Sequence, residues 1–92
     1  MTLGEQGCVY VTLAAARTFA EHTGLQIEEA RRRLTELLIE ARPKEGGGWR
    51  RRNRTLDVDI DAQVIVEGPL AVVTHTHIRG LGDRTAQRNR RE

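Results

Sequence analysis

The sequence predicts an α+β domain in the order β-α-α-β-β-β, with two helices packed on one face of a mainly antiparallel sheet. Three observations lead there. Apolar residues recur at helical spacing between residues 13 and 41, the period changes to two-residue alternation after "KEGGG", and the runs "CVYVTL" and "LAVVTHTHIR" are rich in β-branched residues. A chain of 92 residues holds one modest core. The expected organisation is a single domain over residues 1–79, followed by a mobile basic tail at 80–92 with too little apolar content to pack.

The first strand is "CVYVTL", in which the lone Cys8 reads as a small buried thiol beside Val9 and Val11. One cysteine cannot form an internal disulfide or a paired-cysteine zinc site. Thr12 is the natural N-cap of the helix that follows. That helix, "LAAARTFAEHT", carries Leu13, Ala16, Phe19 and Ala20 on one face, and Gly24 stops it. In "QIEEARRRLTELLIEARP" the residues Ile27, Ala30, Leu34, Leu37, Leu38 and Ala41 fall at helical spacing. Glu28 and Glu29 suit the helix start, and Pro43 is expected to end the run. After the flexible "KEGGG" loop, Leu56, Val58, Ile60, Ala62, Val64 and Val66 alternate with Thr55, Asp57, Asp59, Asp61 and Gln63, the pattern of a half-buried strand with one acidic face. The pattern leaves open whether "WRRRNR" is a separate strand or the start of that long one. A turn at "EGP" leads to the last strand.

Net charge is only +2, but it is sorted along the chain. Residues 42–54 carry six bases and one acid, residues 55–78 carry four acids and no lysine or arginine, and residues 79–92 return to five arginines against two acids. A local basic block on a near-neutral chain attracts phosphate backbones. No apolar run approaches the roughly 20 residues that span a bilayer, and no signal pattern opens the chain. The expectation is a cytoplasmic protein without a membrane partner.

"VVTHTHIRG" holds the most chemically suggestive residues. Strand alternation puts His75, His77 and Arg79 on one face. A two-residue loop at Gly68 and Pro69 would place the histidines on the side of Ile60 and Ala62. A three-residue loop, Glu67 to Pro69, would instead pair Asp61 with His75 and Asp59 with His77, and this register is expected because it avoids burying unpaired imidazoles. Four readings compete: an acid/base site for phosphodiester cleavage, a metal site of two histidines and a carboxylate, a dimer face, and a solvated strand with cross-strand ion pairs. No cofactor or metal is expected.

"GGGWRRRNR" puts Arg50, Arg52 and Arg54 on one strand face, and Trp49, Arg51 and Asn53 on the other. The guanidinium forks match phosphate oxygens and Trp49 offers a stacking surface. Arg50, Arg51, Arg52, Arg54, Trp49 and Arg79 are therefore the candidate nucleic-acid contacts. A basic edge strand that resists aggregation would have the same composition. "ARRRL", by contrast, is explained mostly by pairing of Glu28 with Arg32 and Glu29 with Arg33 along the helix.

The element order, the helix "ARRRLTELLIEARP" running into proline, the loop "KEGGGWRRR" and the closing "HTHIR" resemble the RelE/ParE superfamily of bacterial toxins, especially its YoeB-like ribonucleases. The resemblance covers residues 8 to 80 and is one of pattern; the Asp57, Asp59, Asp61 row, the missing C-terminal tyrosine and the tail depart from it. It implies an RNA-binding, metal-independent endoribonuclease held by a partner antitoxin. Glu45 would then be the base, one of Arg50, Arg52 or Arg54 the phosphate ligand, and His77 or His75 the acid. The rival readings are a winged-helix-like DNA-binding regulator, suggested by helix-turn-helix spacing in "FAEHTGLQIEEARRRL" and reading DNA through Arg31, Arg32 and Arg33, and a non-catalytic protein that self-associates as a homodimer or binds an antitoxin.

Overall fold

Thr12 starts the first long helix as its sequence position requires: its Oγ1 accepts the Ala15 N–H at 3.3 Å. In the computed structural model, which describes residues 1–53 and 58–80, that helix is one of three. The elements run α1 (Leu3–Gln6), β1 (Cys8–Val11), α2 (Leu13–Thr23), α3 (Ile27–Leu38), β2 (Arg42–Pro43), β3 (Trp49–Asn53), β4 (Val58–Glu67) and β5 (Leu70–Gly80). The α+β class and the succession of strand, two helices and three strands agree with the sequence. α1 and the two-residue β2 are additions. "WRRRN" is a strand of its own, paired with β4 from Asn53 opposite Val58. Arg54, Thr55, Leu56 and Asp57, together with the proposed tail beyond Gly80, lie outside the described residues.

The five strands form one sheet in the order β1-β5-β4-β3-β2. β1 lies parallel to β5 and the other neighbours are antiparallel. β1 flanks β5 only from Leu70 to Val73, so beyond Val73 the histidine-bearing half of β5 pairs with β4 alone. α2 and α3 cover one face and leave the other open. Val9, Val11, Ile60, Ala62 and Val73 meet Ala15, Ala16, Phe19, Ala30, Leu34 and Leu38 in a single buried cluster, so most of the hydrophobic stabilisation lies between these two layers. Among the described residues no helix is long and apolar enough to cross a membrane.

Several boundaries differ from expectation for local reasons. α2 buries Ala15, Ala16 and Phe19, while Leu13 at its open first turn stays exposed. Gly24 does stop α2, in the left-handed conformation at φ 78° and with its N–H on the Ala20 carbonyl at 2.8 Å. α3 ends at Leu38, well before Pro43, which pairs in β2 with Trp49. Cys8 is exposed rather than buried, because β1 turns Val9 and Val11 inward and Cys8 and Tyr10 outward.

The β4–β5 hairpin settles the register of the histidines. Its turn has two residues, Gly68 and Pro69, with Glu67 opposite Leu70, so the three-residue loop is not formed. Gly68 sits at φ 55°, a conformation glycine adopts without steric cost. The pairing then shifts: Val64 faces Val73 but Gln63 faces His75, leaving Thr74 as an extra residue on β5. This bulge turns β5 over. Ala71 and Val73 point into the core before it, whereas His75, His77 and Arg79 are exposed after it. Asp61 therefore lies opposite His77, Asp59 opposite Arg79 and Gln63 opposite His75, instead of the pairs Asp61 with His75 and Asp59 with His77.

Thr12 also anchors the bulge, since its hydroxyl donates to the Val73 carbonyl at 2.9 Å and lies 3.3 Å from the Thr74 carbonyl. Thr12→Ala removes a helix cap and a bulge contact together. The expected outcome is a loss of about 1–2 kcal/mol in urea unfolding, with faster amide exchange at Thr74 and His75 than at β4 core positions.

Candidate functional site: a charged open sheet face

Alternation on three adjacent strands gathers the charged residues. Because β3, β4 and β5 pair in register, Arg50 lies opposite Asp61, Arg52 opposite Asp59, and His77 opposite Asp61 from the other side. The open face of the sheet thus carries Arg50 and Arg52 on β3, Asp59, Asp61 and Gln63 on β4, and His75, His77 and Arg79 on β5. Lys44 reaches it from the glycine-rich loop.

Asp61 is the hub. Arg50 Nε donates to its Oδ1 at 2.7 Å and Nη2 to its Oδ2 at 3.2 Å. Lys44 Nζ donates to Oδ2 at 3.3 Å, and Arg79 Nη2 lies 3.3 Å from the same oxygen. Arg52 Nε bonds Asp59 Oδ1 at 3.0 Å, and the Asp59 carboxylate is buried beneath it. The hydrogen bonds from Arg50, with those from Lys44, hold the Asp61 carboxyl below the usual aspartate range even though burial acts in the opposite direction. The same bonds push the Arg50 guanidinium further up.

A cavity of about 250 Å³ opens beside this hub, lined by Lys44, Asp61, Ala62, Gln63, His75, Thr76 and His77. Both histidines are exposed, with His75 Nδ1 3.2 Å from Thr74 Oγ1. Thr76 points the other way and donates to the Ala15 carbonyl at 2.8 Å, which fixes the face that its two histidine neighbours present.

The structure thus brings together Arg50, Arg52, His75, His77 and Arg79. It places Trp49 and Arg51 on the helix side of the sheet. Trp49 packs against the core, and Arg51 donates to the Arg52 carbonyl at 2.7 Å and approaches Glu40 at 3.7 Å. Trp49 therefore offers no stacking surface next to Arg50 and Arg52. Glu45 is exposed on the loop, and no hydrogen bond or ion pair joins it to the histidines or Arg52 among the described residues. Arg54 lies outside the described residues.

Lys44 was not among the residues singled out from sequence. Its signal was present, a cation directly before a flexible loop within the basic block, but only folding of that loop against β4 brings it to Asp61. Among the described residues no group of three or more His, Cys, Asp or Glu is placed to hold a metal ion, so the site of two histidines and a carboxylate is not assembled there.

The arginine triplet of α3 is already engaged. Arg31 Nε donates to the Val11 carbonyl at 2.7 Å and its guanidinium lies 4.7 Å from the centre of the Tyr10 ring. Arg32 pairs with Glu29 and with Glu36, the latter at 3.1 Å, and Arg33 pairs with Glu29 at 3.2 Å. The Glu29 to Arg33 pair is the one expected from spacing; Arg32 takes Glu29 and Glu36 in place of Glu28. No family model, curated protein or solved structure matches this chain.

Proposed function

We propose that the open face of the sheet binds a phosphate-bearing ligand. The observation that carries this is the convergence of Lys44, Arg50, Arg52 and Arg79 on the two carboxylates of Asp59 and Asp61. Four cations against two anions leave this patch positive by two, although the whole chain is nearly neutral. Arginine forks that are partly exposed and already oriented lose little entropy when they take up phosphate oxygens. The acids also shape the preference. They interrupt any long positive track, and three of the cations meet at one carboxylate, so the patch suits a compact phosphorylated ligand such as a nucleotide better than an extended polyanion.

RNA cleavage is the second reading. It is favoured by the exposure of His75 and His77 beside Arg79 and Asp61, where an imidazolium could protonate a leaving oxygen while arginine offsets the developing charge. The winged-helix reading has less support, because Arg31, Arg32 and Arg33 are committed to contacts within the domain.

One titration tests the first reading and separates it from the second. Wild-type protein is titrated with a nucleoside triphosphate, with and without Mg²⁺, and with single-stranded RNA, following amide and arginine side-chain resonances. Shifts confined to the loop that carries Lys44 and to β3, β4 and β5 are expected, with binding weakened about tenfold in Arg50→Ala and in Arg79→Ala, the loss of one charge-assisted contact. Shifts elsewhere, or unchanged affinity in both variants, remove the reading. Cleavage of the same RNA in EDTA that is lost in His77→Ala or His75→Ala would establish the ribonuclease; intact RNA sets it aside and leaves binding standing.

A further inference from the structure

Asp61 draws cations from three separate parts of the chain: Lys44 from the loop before β3, Arg50 from β3 and Arg79 from β5. Three positive charges would not gather at one point unaided, since like charges repel each other. The carboxylate beneath them supplies the reason to converge. Its side chain is 12% exposed, whereas those of Lys44, Arg50 and Arg79 are 29%, 37% and 51% exposed. The anion is thus at the floor and the cationic heads form the rim.

The rim keeps donors to spare. An ammonium has three N–H bonds and a guanidinium five. Arg50 directs Nε and Nη2 at Asp61, and Lys44 directs one bond there. Lys44 lines the small cavity that Asp61, His75 and His77 border, and the Arg50 and Arg79 side chains are themselves partly open to solvent. Three cations and one carboxylate leave this cluster at +2, equal and opposite to a phosphate monoester, whose second proton is lost with a pKa near 6. A monoester also offers three terminal oxygens to donors arriving from three directions. A phosphodiester carries one charge and two free oxygens.

We infer that the Lys44, Arg50 and Arg79 cluster is a seat for a terminal phosphate monoester, and that Asp61 is the positioning residue that assembles it. The inference rests on the phosphate-ligand reading above and narrows it to the end of a phosphorylated molecule, as distinct from an internal backbone phosphate. Asp61 touches no ligand in this account. It acts by holding three side chains where a phosphate can meet all of them.

The test uses ethyl phosphate and diethyl phosphate as probes on the full chain at pH 7.5, followed by NMR at the Arg50 and Arg79 Nε–H groups. Wild-type protein is expected to bind the monoester at least fivefold more tightly than the diester. Asp61→Asn keeps the side-chain shape and removes the charge. In a variant whose amide spectrum shows it folded, monoester affinity should fall at least fivefold and the preference should approach one. If Asp61 merely competes for the cations, the variant binds both probes more tightly, and the inference fails. Equal binding of the two esters by wild-type protein, with nucleotide binding intact, also overturns it and leaves the broader reading in place. Binding of no ester, nucleotide or RNA overturns both.

Discussion

Phe19→Ala is expected to lower the unfolding free energy by about 3–5 kcal/mol, the range found when a large core aromatic is truncated. Phe19 is 1% exposed and is the largest of the completely buried side chains. It sits on α2 between the sheet and α3, in a cluster otherwise made mainly of alanine, valine and leucine. These smaller neighbours cannot swing into the vacated space, and the remaining walls lose dispersion contacts on one side. The loss is made sharper by a groove of about 510 Å³ that Phe19 lines together with Thr23, Leu25, Arg33, Glu36, Leu37, Glu40 and Asn53. Removing the ring joins that open groove to the core. Domains of this size are held by about 5–15 kcal/mol in total, so the variant should lose a large share of its stability. Equilibrium urea unfolding measures this directly; a loss below about 1 kcal/mol would show that the two layers are not joined through this ring.

A second large effect concerns acid. The hydrogen bonds from Arg50 and Lys44 hold the folded Asp61 carboxyl below its unfolded value, which lies near 3.9. A lowered folded value means that the unfolded chain binds the proton more readily. The contribution of Asp61 to stability is therefore present in full above about pH 4, and it is lost as pH falls through the folded value. Asp61→Asn should cost about 1–3 kcal/mol at pH 7, the scale of charge-assisted hydrogen bonds, and progressively less as pH falls below about 4, where the unfolded chain takes up the proton more readily than the folded carboxylate does. Urea unfolding of both proteins between pH 2.5 and 7 tests this. A constant difference across that range would mean that the Asp61 charge is not what binds the three cations. Glu5 and Glu29 also have lowered values, set mainly by Thr2 and by Arg32 respectively. Both are present in the two proteins, so the difference between the curves isolates Asp61.

The two effects follow from different levels of organisation, and they were not equally legible in the sequence. The Phe19 face can be read from helical spacing, as can Thr12 and Gly24 at the ends of α2, because caps and amphipathic periods act within a few residues. The same locality explains the errors. Leu13 and Cys8 have apolar or small side chains at suitable positions, but both stay exposed because no element covers them there.

What the sequence by itself determined is the class of fold, the order of its elements, and the sorting of charge into the basic "WRRRN" and the alternating acidic positions of "DVDIDAQ". Those features depend on backbone periodicity and turn chemistry, which are local. Tertiary structure alone decided which charges meet. A hairpin with a two-residue turn would have pointed His75 and His77 at the core, and the extra Thr74 returned them to the open face by shifting the register one place. That bulge is fastened by Thr12, sixty-one residues from Val73 in the chain. Lys44, Arg50 and Arg79 likewise reach Asp61 only because β3 and β5 pair with β4 on its two sides and the loop after β2 brings Lys44 to β4. Contacts so distant along the chain have no period to betray them, so the site became visible only once the strands were laid side by side.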